Sequence, residues 1–167
     1  MLFLKNAVYT LVLPGTLTIL VPYFLLTRNN THLPALWGPA QYTGLLFAFL
    51  GIVTIFKCIW DFATFGLGTP APTSPPKVLV TDGLYRYVRN PLYLGLLSLL
   101  LGEAIIFRSM SLLRYMAGYW MFVHLMVIVH EEPHLLREFG QSYDQYCRSV
   151  NRWIPHKKIT SHMSDRH

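Results

Sequence analysis

The sequence turns on one stretch, Tyr85-Arg86-Tyr87-Val88-Arg89-Asn90-Pro91-Leu92-Tyr93-Leu94-Gly95, in which a basic and aromatic run passes directly into an apolar segment. Asn90 is a residue type that caps helix N-termini, and Pro91 is favoured at the first helical position. The pattern therefore predicts a helix that begins at Pro91 and runs to Phe107 from the surface of a membrane. The free N–H groups at its start, beside two arginines, favour an anionic ligand.

The composition is that of an integral membrane protein. Of the 167 residues, 53% are hydrophobic and only 13% are charged, whereas soluble domains carry about 25% charged residues. The net charge of +6 is therefore first a topology signal, and nucleic acid is not expected as a partner. Cys58 and Cys147 lie far apart and form no metal-binding or disulfide pattern.

Four apolar segments have about the 17–25 residues that a bilayer crossing needs. They are Ala7–Leu26, Tyr42–Trp60, Pro91–Phe107 and Leu112–His130. We therefore expect an all-α, polytopic membrane protein with four transmembrane helices.

The last two spans are separated only by residues 108–111, which predicts a tight antiparallel hairpin. In that hairpin Gly102 would face Ala117 and Gly118, where small residues allow close backbone approach. The same register places Asn90 level with His130, directly before Glu131 and Glu132. Two polar segments some forty residues apart in sequence are thus expected to meet at one membrane surface.

The charges predict the orientation. With four spans, both termini and the polar end of the hairpin share one side, and of the fourteen lysines and arginines only Arg28, Arg108 and Arg114 fall on the other. The positive-inside rule then makes both termini and this polar end cytoplasmic, in an inner or plasma membrane.

Beyond Pro133, apolar residues recur at three- and four-residue steps as far as Val150, which predicts one amphipathic helix in the cytoplasmic interface. Trp153 is expected to be an interfacial anchor. The Pro- and Gly-rich loop 61–84 is interpreted as a semi-rigid cover on the membrane surface. Residues 1–155 form a single expected domain, and residues 156–167 form a polar tail.

Several charged residues could carry chemistry, and each also has a plainer interpretation. Glu131 and Glu132 could bind a cationic or hydroxyl-bearing group, or simply mark the solvated end of a span. Their charge is unfavourable at a helix C-terminus and needs compensation by Arg86, Arg89 or a bound cation. The two arginines could equally be positive-inside anchors.

Glu103 lies deep in the third span, where an ionisable group is costly and normally paired. Its expected partners are Arg114 and, less favourably, His124. We interpret Glu103 and His124 as structural residues or as part of a substrate pocket.

The combination of motifs is more specific than its parts. The Tyr85–Gly95 stretch is followed by an apolar hairpin, by Glu131-Glu132, by Phe139-Gly140 with two spaced tyrosines, and by Arg152-Trp153-Ile154-Pro155. This arrangement resembles the integral-membrane methyltransferases that include isoprenylcysteine carboxyl methyltransferases and phospholipid N-methyltransferases. The resemblance covers about residues 66–155. Many members have histidine where this chain has Asn90.

The resemblance implies S-adenosylmethionine as cofactor, bound between the arginine–proline motif and the glutamate pair. It implies methyl transfer to a carboxylate, amine or thiol of a hydrophobic, lipid-like substrate. Arg89 is the implied catalytic residue, and the implied cofactor-binding residues are Arg86, Tyr87, Asn90, Pro91, Tyr93, Gly95, Glu131 and Glu132.

The chemistry of the donor agrees with this placement. Its carboxylate suits Arg89 and the start of the third span, and its ammonium or ribose diol suits Glu131 and Glu132. The sulfonium already activates the methyl group, so we expect no metal, and catalysis rests on positioning and desolvation. A carboxylate or thiolate acceptor needs no general base, whereas a protonated amine does.

Two other functions fit parts of the sequence. Sterol-type membrane reductases share a similar C-terminal region but bind NADPH, and a non-enzymatic membrane scaffold would bind no cofactor. The glutamate pair followed by Phe139-Gly140 and two spaced tyrosines favours the methyltransferase.

Overall fold

The computed structural model describes residues 16–65 and 79–155, which form helices joined by turns, with no strand in these ranges. The predicted all-α class is confirmed for this part of the chain. The start of the first predicted span, most of the loop between residues 61 and 84, and the tail from residue 156 lie outside the described residues.

The helices follow one another in a simple order. A π-helical turn, Thr16–Leu20, runs into α1 (Val21–Arg28), and α2 spans Pro39–Phe65. A 3₁₀ turn at Gly83–Arg86 precedes α3 (Pro91–Ile106) and α4 (Met110–Met126). A second π-helical turn, Val127–Glu131, leads into α5 (Glu132–Phe139), which is followed by α6 (Gln141–Ser149).

Among the described residues, two helical runs are long and apolar enough to cross a membrane, Pro39–Asp61 and Met110–Phe139. Thr16–Arg28 and Pro91–Ile106 are apolar but shorter. The outer face of α2 carries large exposed side chains, among them Phe49, Phe56 and Trp60. Such a face is typical of a helix that contacts lipid rather than water.

The start of α3 agrees with the prediction in position but not in detail. Pro91 is its first residue, and Asn90 occupies the cap position. The Asn90 side chain makes no capping hydrogen bond, however. Its amide Nδ2 donates instead to the backbone oxygen of Arg152, at 3.3 Å. A tertiary contact has therefore replaced the local cap that the sequence predicted.

The closest helix pair is α2 with α3, which cross antiparallel at matched glycines. Gly44 lies against Gly102, and Gly51 lies against Gly95, with backbone atoms too close for a side chain at these positions. Between them the Ser98 hydroxyl donates to the Phe47 carbonyl at 2.8 Å. Within each helix the two glycines are seven residues apart, so they lie on the same face of that helix.

The predicted contact of Gly102 with Ala117 and Gly118 is therefore wrong. A side chain added at Gly118 would meet none of the described residues within 4 Å. The face of α3 that carries Gly95 and Gly102 can pack closely against only one helix, and that helix is α2, which carries the matching glycines. On its other side α3 packs against α4 through larger side chains, where Leu96 and Leu100 form a buried cluster with Tyr119 and Val123.

The C-terminal region differs from the single helix that was expected after Pro133. The helical run continues through Pro133, because the preceding π-helical turn pairs the Glu132 N–H with the Val127 oxygen, five residues back. The run breaks instead at Gly140, whose φ of +54° is unfavourable for any residue with a side chain. The result is two helices, α5 and α6, and Tyr143 and Tyr146 are the buried residues of α6.

Candidate active site

A cavity of about 80 Å³ lies where the 3₁₀ turn, the start of α3, the second π-helical turn and α6 meet. The predicted residues Arg89, Asn90, Glu131 and Glu132 all line it. The structure thus brings the two polar segments together, as the sequence analysis expected.

Glu131 is held from α3. The Tyr93 hydroxyl donates to Glu131 Oε1 at 2.6 Å. This contact joins the first turn of α3 to the residue that ends the π-helical turn. It leaves the second carboxylate oxygen of Glu131 without a partner from Tyr93, so this acid keeps an acceptor for a ligand.

Glu132 is held by two arginines. Arg152 donates from Nε and Nη2 to the two carboxylate oxygens, each at 2.7 Å, in the bidentate geometry that suits guanidinium. Arg89 Nη1 lies 3.0 Å from Glu132 Oε1. The hydrogen bond to Glu132 raises the pKa of Arg152 above its usual value. Arg89 and Arg152 therefore neutralise the charge of Glu132. The helix C-terminus expected at this position is not there, because the helical run continues to Phe139.

The π-helical turn explains why both glutamates reach the cavity. In a regular α-helix adjacent residues point about 100° apart. The wider π turn shifts the register of Glu131 and Glu132 relative to α4. Glu131 then faces Tyr93 while Glu132 faces Arg152, and no sequence signal at Val127–Glu131 predicted this turn.

Arg89 is the most constrained of the predicted residues. Its backbone N–H donates to the Asn151 carbonyl at 2.9 Å, and its Nη1 also lies 2.7 Å from Cys147 Sγ. Its Nε is buried without a hydrogen-bond partner within the described residues. A buried guanidinium with a donor to spare is suited to an anionic ligand.

Five other predicted cofactor residues do not line this cavity. Arg86 and Tyr87 are exposed. Pro91 is buried as the first residue of α3, and Tyr93 acts through its contact with Glu131. Gly95 lies against Gly51 of α2, so its position fits helix packing rather than contact with a cofactor.

The two predicted substrate-pocket residues lie apart from the cavity. Glu103 Oε2 is buried without a hydrogen-bond partner, and Glu103 forms no ion pair with Arg114 in the described part of the chain. His124 accepts a hydrogen bond at Nδ1 from Trp153 Nε1, at 3.0 Å. His124, the less favoured partner predicted for Glu103, is therefore bound by Trp153 instead, and Trp153 packs against the buried cluster of α3 and α4.

Sequence reasoning also missed residues that build the cavity wall. Tyr146 donates from its hydroxyl to the Tyr85 carbonyl at 2.7 Å, and both residues line the cavity with Tyr143. Burial raises the pKa of Tyr146. The ion pair of Arg152 with Glu132 has no local signal in the sequence, because the two residues lie twenty positions apart.

A family model described as phospholipid methyltransferase matches residues 40–142, which is more than half of the chain. The chain belongs to the phospholipid methyltransferase family. The matched range contains the glycine-paired helices α2 and α3, the arginine–proline motif and the glutamate pair. Tyr143 and Tyr146 line the cavity and lie beyond the matched range, so the cavity of this family member is completed by residues outside that range.

Curated relatives of this phospholipid methyltransferase family member carry the name protein-S-isoprenylcysteine O-methyltransferase. The Schizosaccharomyces pombe protein is 38% identical over 79 residues, which cover 47% of this chain and 33% of that protein. The Dictyostelium discoideum protein is 35% identical over 79 residues, 47% of this chain and 33% of that protein. The Tribolium castaneum protein is 35% identical over 83 residues, 49% of this chain and 29% of that protein.

The match therefore spans about a third of the length of these curated relatives. No solved structure matches the chain. Family membership consequently rests on the sequence match, and the geometry of the cavity is independent information about this chain.

Proposed function

We propose that this chain is an S-adenosylmethionine-dependent membrane methyltransferase that methylates a carboxylate, amine or thiol of a hydrophobic, lipid-like acceptor. One observation carries the proposal. Tyr93 and Arg89, from the arginine–proline motif, contact Glu131 and Glu132 around one cavity. Family membership and the named relatives support the reaction class.

The residues of the cavity fit the charges of such a donor. The buried Nε of Arg89, which has no partner among the described residues, suits the carboxylate. Glu131 keeps an oxygen that Tyr93 does not occupy and suits the ammonium group. Glu132 is already neutralised by Arg152, so we assign it to positioning Arg89 before the ligand binds rather than to direct contact with the ligand.

The cavity is smaller than its proposed ligand. Its volume of about 80 Å³ is well below the roughly 300–1,000 Å³ of typical ligand sites. We therefore expect the cavity to widen on binding. The contact that must give is the one between Arg89 and Glu132, because Arg152 alone can hold both oxygens of Glu132.

When bound, S-adenosylmethionine supplies an already activated methyl group. Arg89 and Glu131 would orient the donor from opposite sides, while Tyr85, Tyr143 and Tyr146 would exclude water from the cavity. Orientation and desolvation are the two contributions that such a displacement needs from the protein. The single predicted catalytic residue, Arg89, would thus act by positioning.

We further propose the arrangement in the membrane. Four crossings, the third and fourth forming a hairpin, would place both termini and the cavity on the cytoplasmic side, within one domain over residues 1–155. The short linker between α3 and α4 and the charge distribution support this topology. The helices α5 and α6 would then lie in the cytoplasmic interface, with the acceptor entering from the lipid.

The proposal is tested with detergent-purified protein and two ligands. Calorimetric titration should give binding of S-adenosylmethionine and none of NADPH. Membranes containing the wild-type chain, incubated with isotopically labelled methyl donor, should yield a labelled lipid in mass spectrometry of the extract. The Glu131→Gln variant is the matched control and should yield much less label.

Binding of NADPH alone would favour a membrane reductase instead. Binding of neither ligand would favour a scaffold. Either result would reject the methyltransferase, and a labelled protein or soluble product would reject the lipid-like acceptor.

A further inference from the structure

The most completely buried acid of the described chain lies outside the cavity. Asp61 is fully buried at the end of the apolar run Pro39–Asp61 of α2. Burying a carboxylate is costly unless charges or hydrogen bonds compensate it. Lys57, one helical turn earlier, supplies the charge as an ion pair. The remaining oxygen points away from α2, toward the chain that precedes α3.

That oxygen holds the 3₁₀ turn Gly83–Arg86. The Leu84 N–H donates to Asp61 Oδ2 at 3.2 Å. Gly83, at φ +63°, lies so close to the Asp61 carboxylate that an added side chain would overlap it. One turn earlier on the same face of α2, Cys58 packs against Tyr85. The end of α2 therefore contacts the turn through two residues, Asp61 and Cys58.

The Gly83–Arg86 turn forms part of the cavity wall. Tyr85 lines it, and the Tyr85 carbonyl accepts the hydrogen bond from Tyr146, which also lines the cavity. Arg89 follows three residues after the turn ends at Arg86. A shift of the turn would move Tyr85 directly and Arg89 through the connecting chain.

We infer that Asp61 is a positioning residue for the proposed cofactor site, acting through the Gly83–Arg86 turn. It touches no ligand. Its role is to fix the positions of Tyr85 and Arg89 relative to the cavity. This inference rests on the proposed function, because the ligand used to test it is the cofactor product S-adenosylhomocysteine.

The experiment compares Asp61→Ala, Asp61→Asn and Asp82→Ala in detergent-purified protein. Asp82 is the matched control, because it precedes the same turn and is exposed, and its side chain makes no capping hydrogen bond. Calorimetry with S-adenosylhomocysteine should show about a tenfold loss of affinity for Asp61→Ala, since a hydrogen bond to a charged group is lost. Asp61→Asn retains an acceptor oxygen and should restore most of the affinity, and Asp82→Ala should match the wild type.

Hydrogen–deuterium exchange of the peptide that covers residues 83–90 gives a readout independent of the ligand. It should exchange faster in Asp61→Ala than in Asp82→Ala, at a temperature where both are folded. Unchanged exchange in Asp61→Ala, or equal affinity of Asp61→Ala and wild type, would overturn the inference. A wild type that does not bind S-adenosylhomocysteine would instead reject the proposed function, while the exchange data would still decide whether Asp61 holds the turn. If Asp61→Ala does not fold, a slow-exchanging but weakly binding Asp61→Asn variant would also overturn the inference.

Discussion

Tyr93 Oη donates a 2.6 Å hydrogen bond to Oε1 of Glu131, which lies thirty-eight residues later in the chain. This bond ties the first turn of α3 to the π-helical turn that follows α4. It leaves Glu131 facing the cavity with one oxygen not used by Tyr93. The proposed ammonium site thus depends on a contact between two helices and not on either motif alone.

Removing the Tyr93 hydroxyl tests this contact. We expect Tyr93→Phe to lower the affinity for S-adenosylhomocysteine by about fivefold, because one hydrogen bond that orients Glu131 is lost, worth about 1 kcal/mol. Glu131→Gln should cost more, since it also removes the charge that faces the ammonium group. Calorimetry measures both, and a Tyr93→Phe variant that binds as tightly as the wild type would show that Glu131 does not need this orientation.

The bidentate contact of Arg152 with Glu132 should contribute to the stability of the protein. Arg152→Ala leaves the half-buried Glu132 with Arg89 alone, and we expect a loss of about 1–2 kcal/mol in unfolding free energy, kept modest because both side chains are partly exposed. Arg152→Lys keeps the charge but not the bidentate contact, and should recover only part of the loss. Thermal unfolding in detergent measures the effect. If Arg152→Lys is as stable as the wild type, the contact with Glu132 stabilises the protein through its charge alone and the bidentate geometry contributes nothing.

The glycine crossing of α2 and α3 predicts opposite outcomes for two glycines. Gly102→Val should destabilise the protein by several kcal/mol, because a side chain there would meet the backbone of Gly44 and Ala48. Gly118→Val, also in an apolar helix, should be tolerated because none of the residues that the structure describes lies within 4 Å of the added side chain. Expression in membranes and thermal unfolding distinguish them. Equal sensitivity at both positions would contradict the observed helix pairing.

Stability should fall at alkaline pH through the buried phenols. Burial raises the pKa of Tyr85 and Tyr146 above their usual value, which is about 10 in unfolded chains. The unfolded state then loses these protons first, so stability is constant below about pH 10 and decreases above it. Thermal unfolding of wild type and Tyr146→Phe between pH 8 and pH 11 should show a shallower decrease in the variant. A variant with the wild-type slope would show that Tyr146 is not among the groups responsible.

At pH 8 the same Tyr146→Phe variant should lose about 1 kcal/mol, because its hydrogen bond to the Tyr85 carbonyl is removed. This loss gives an internal control, since it is independent of ionisation.

The sequence by itself determined the helical class and the first residue of the key helix. Pro91 begins α3 in the structure as in the prediction, because proline fixes φ and lacks the N–H that a first helical residue does not use. The meeting of Arg89 with Glu132 was also readable, because the linker between α3 and α4 is too short for any arrangement other than neighbouring helices. These are consequences of local geometry and chain length.

The tertiary structure alone decided which helix faces meet and how the side chains pair. Gly102 packs on α2 rather than α4, since several apolar faces of similar hydrophobicity compete in such a protein and only the matched glycines select one. Asn90 caps nothing and binds the chain near Arg152, and Asp61 holds a turn that follows some twenty residues later. Such long-range hydrogen bonds have no periodic signal in sequence, because a buried polar group takes whichever partner the fold brings within reach.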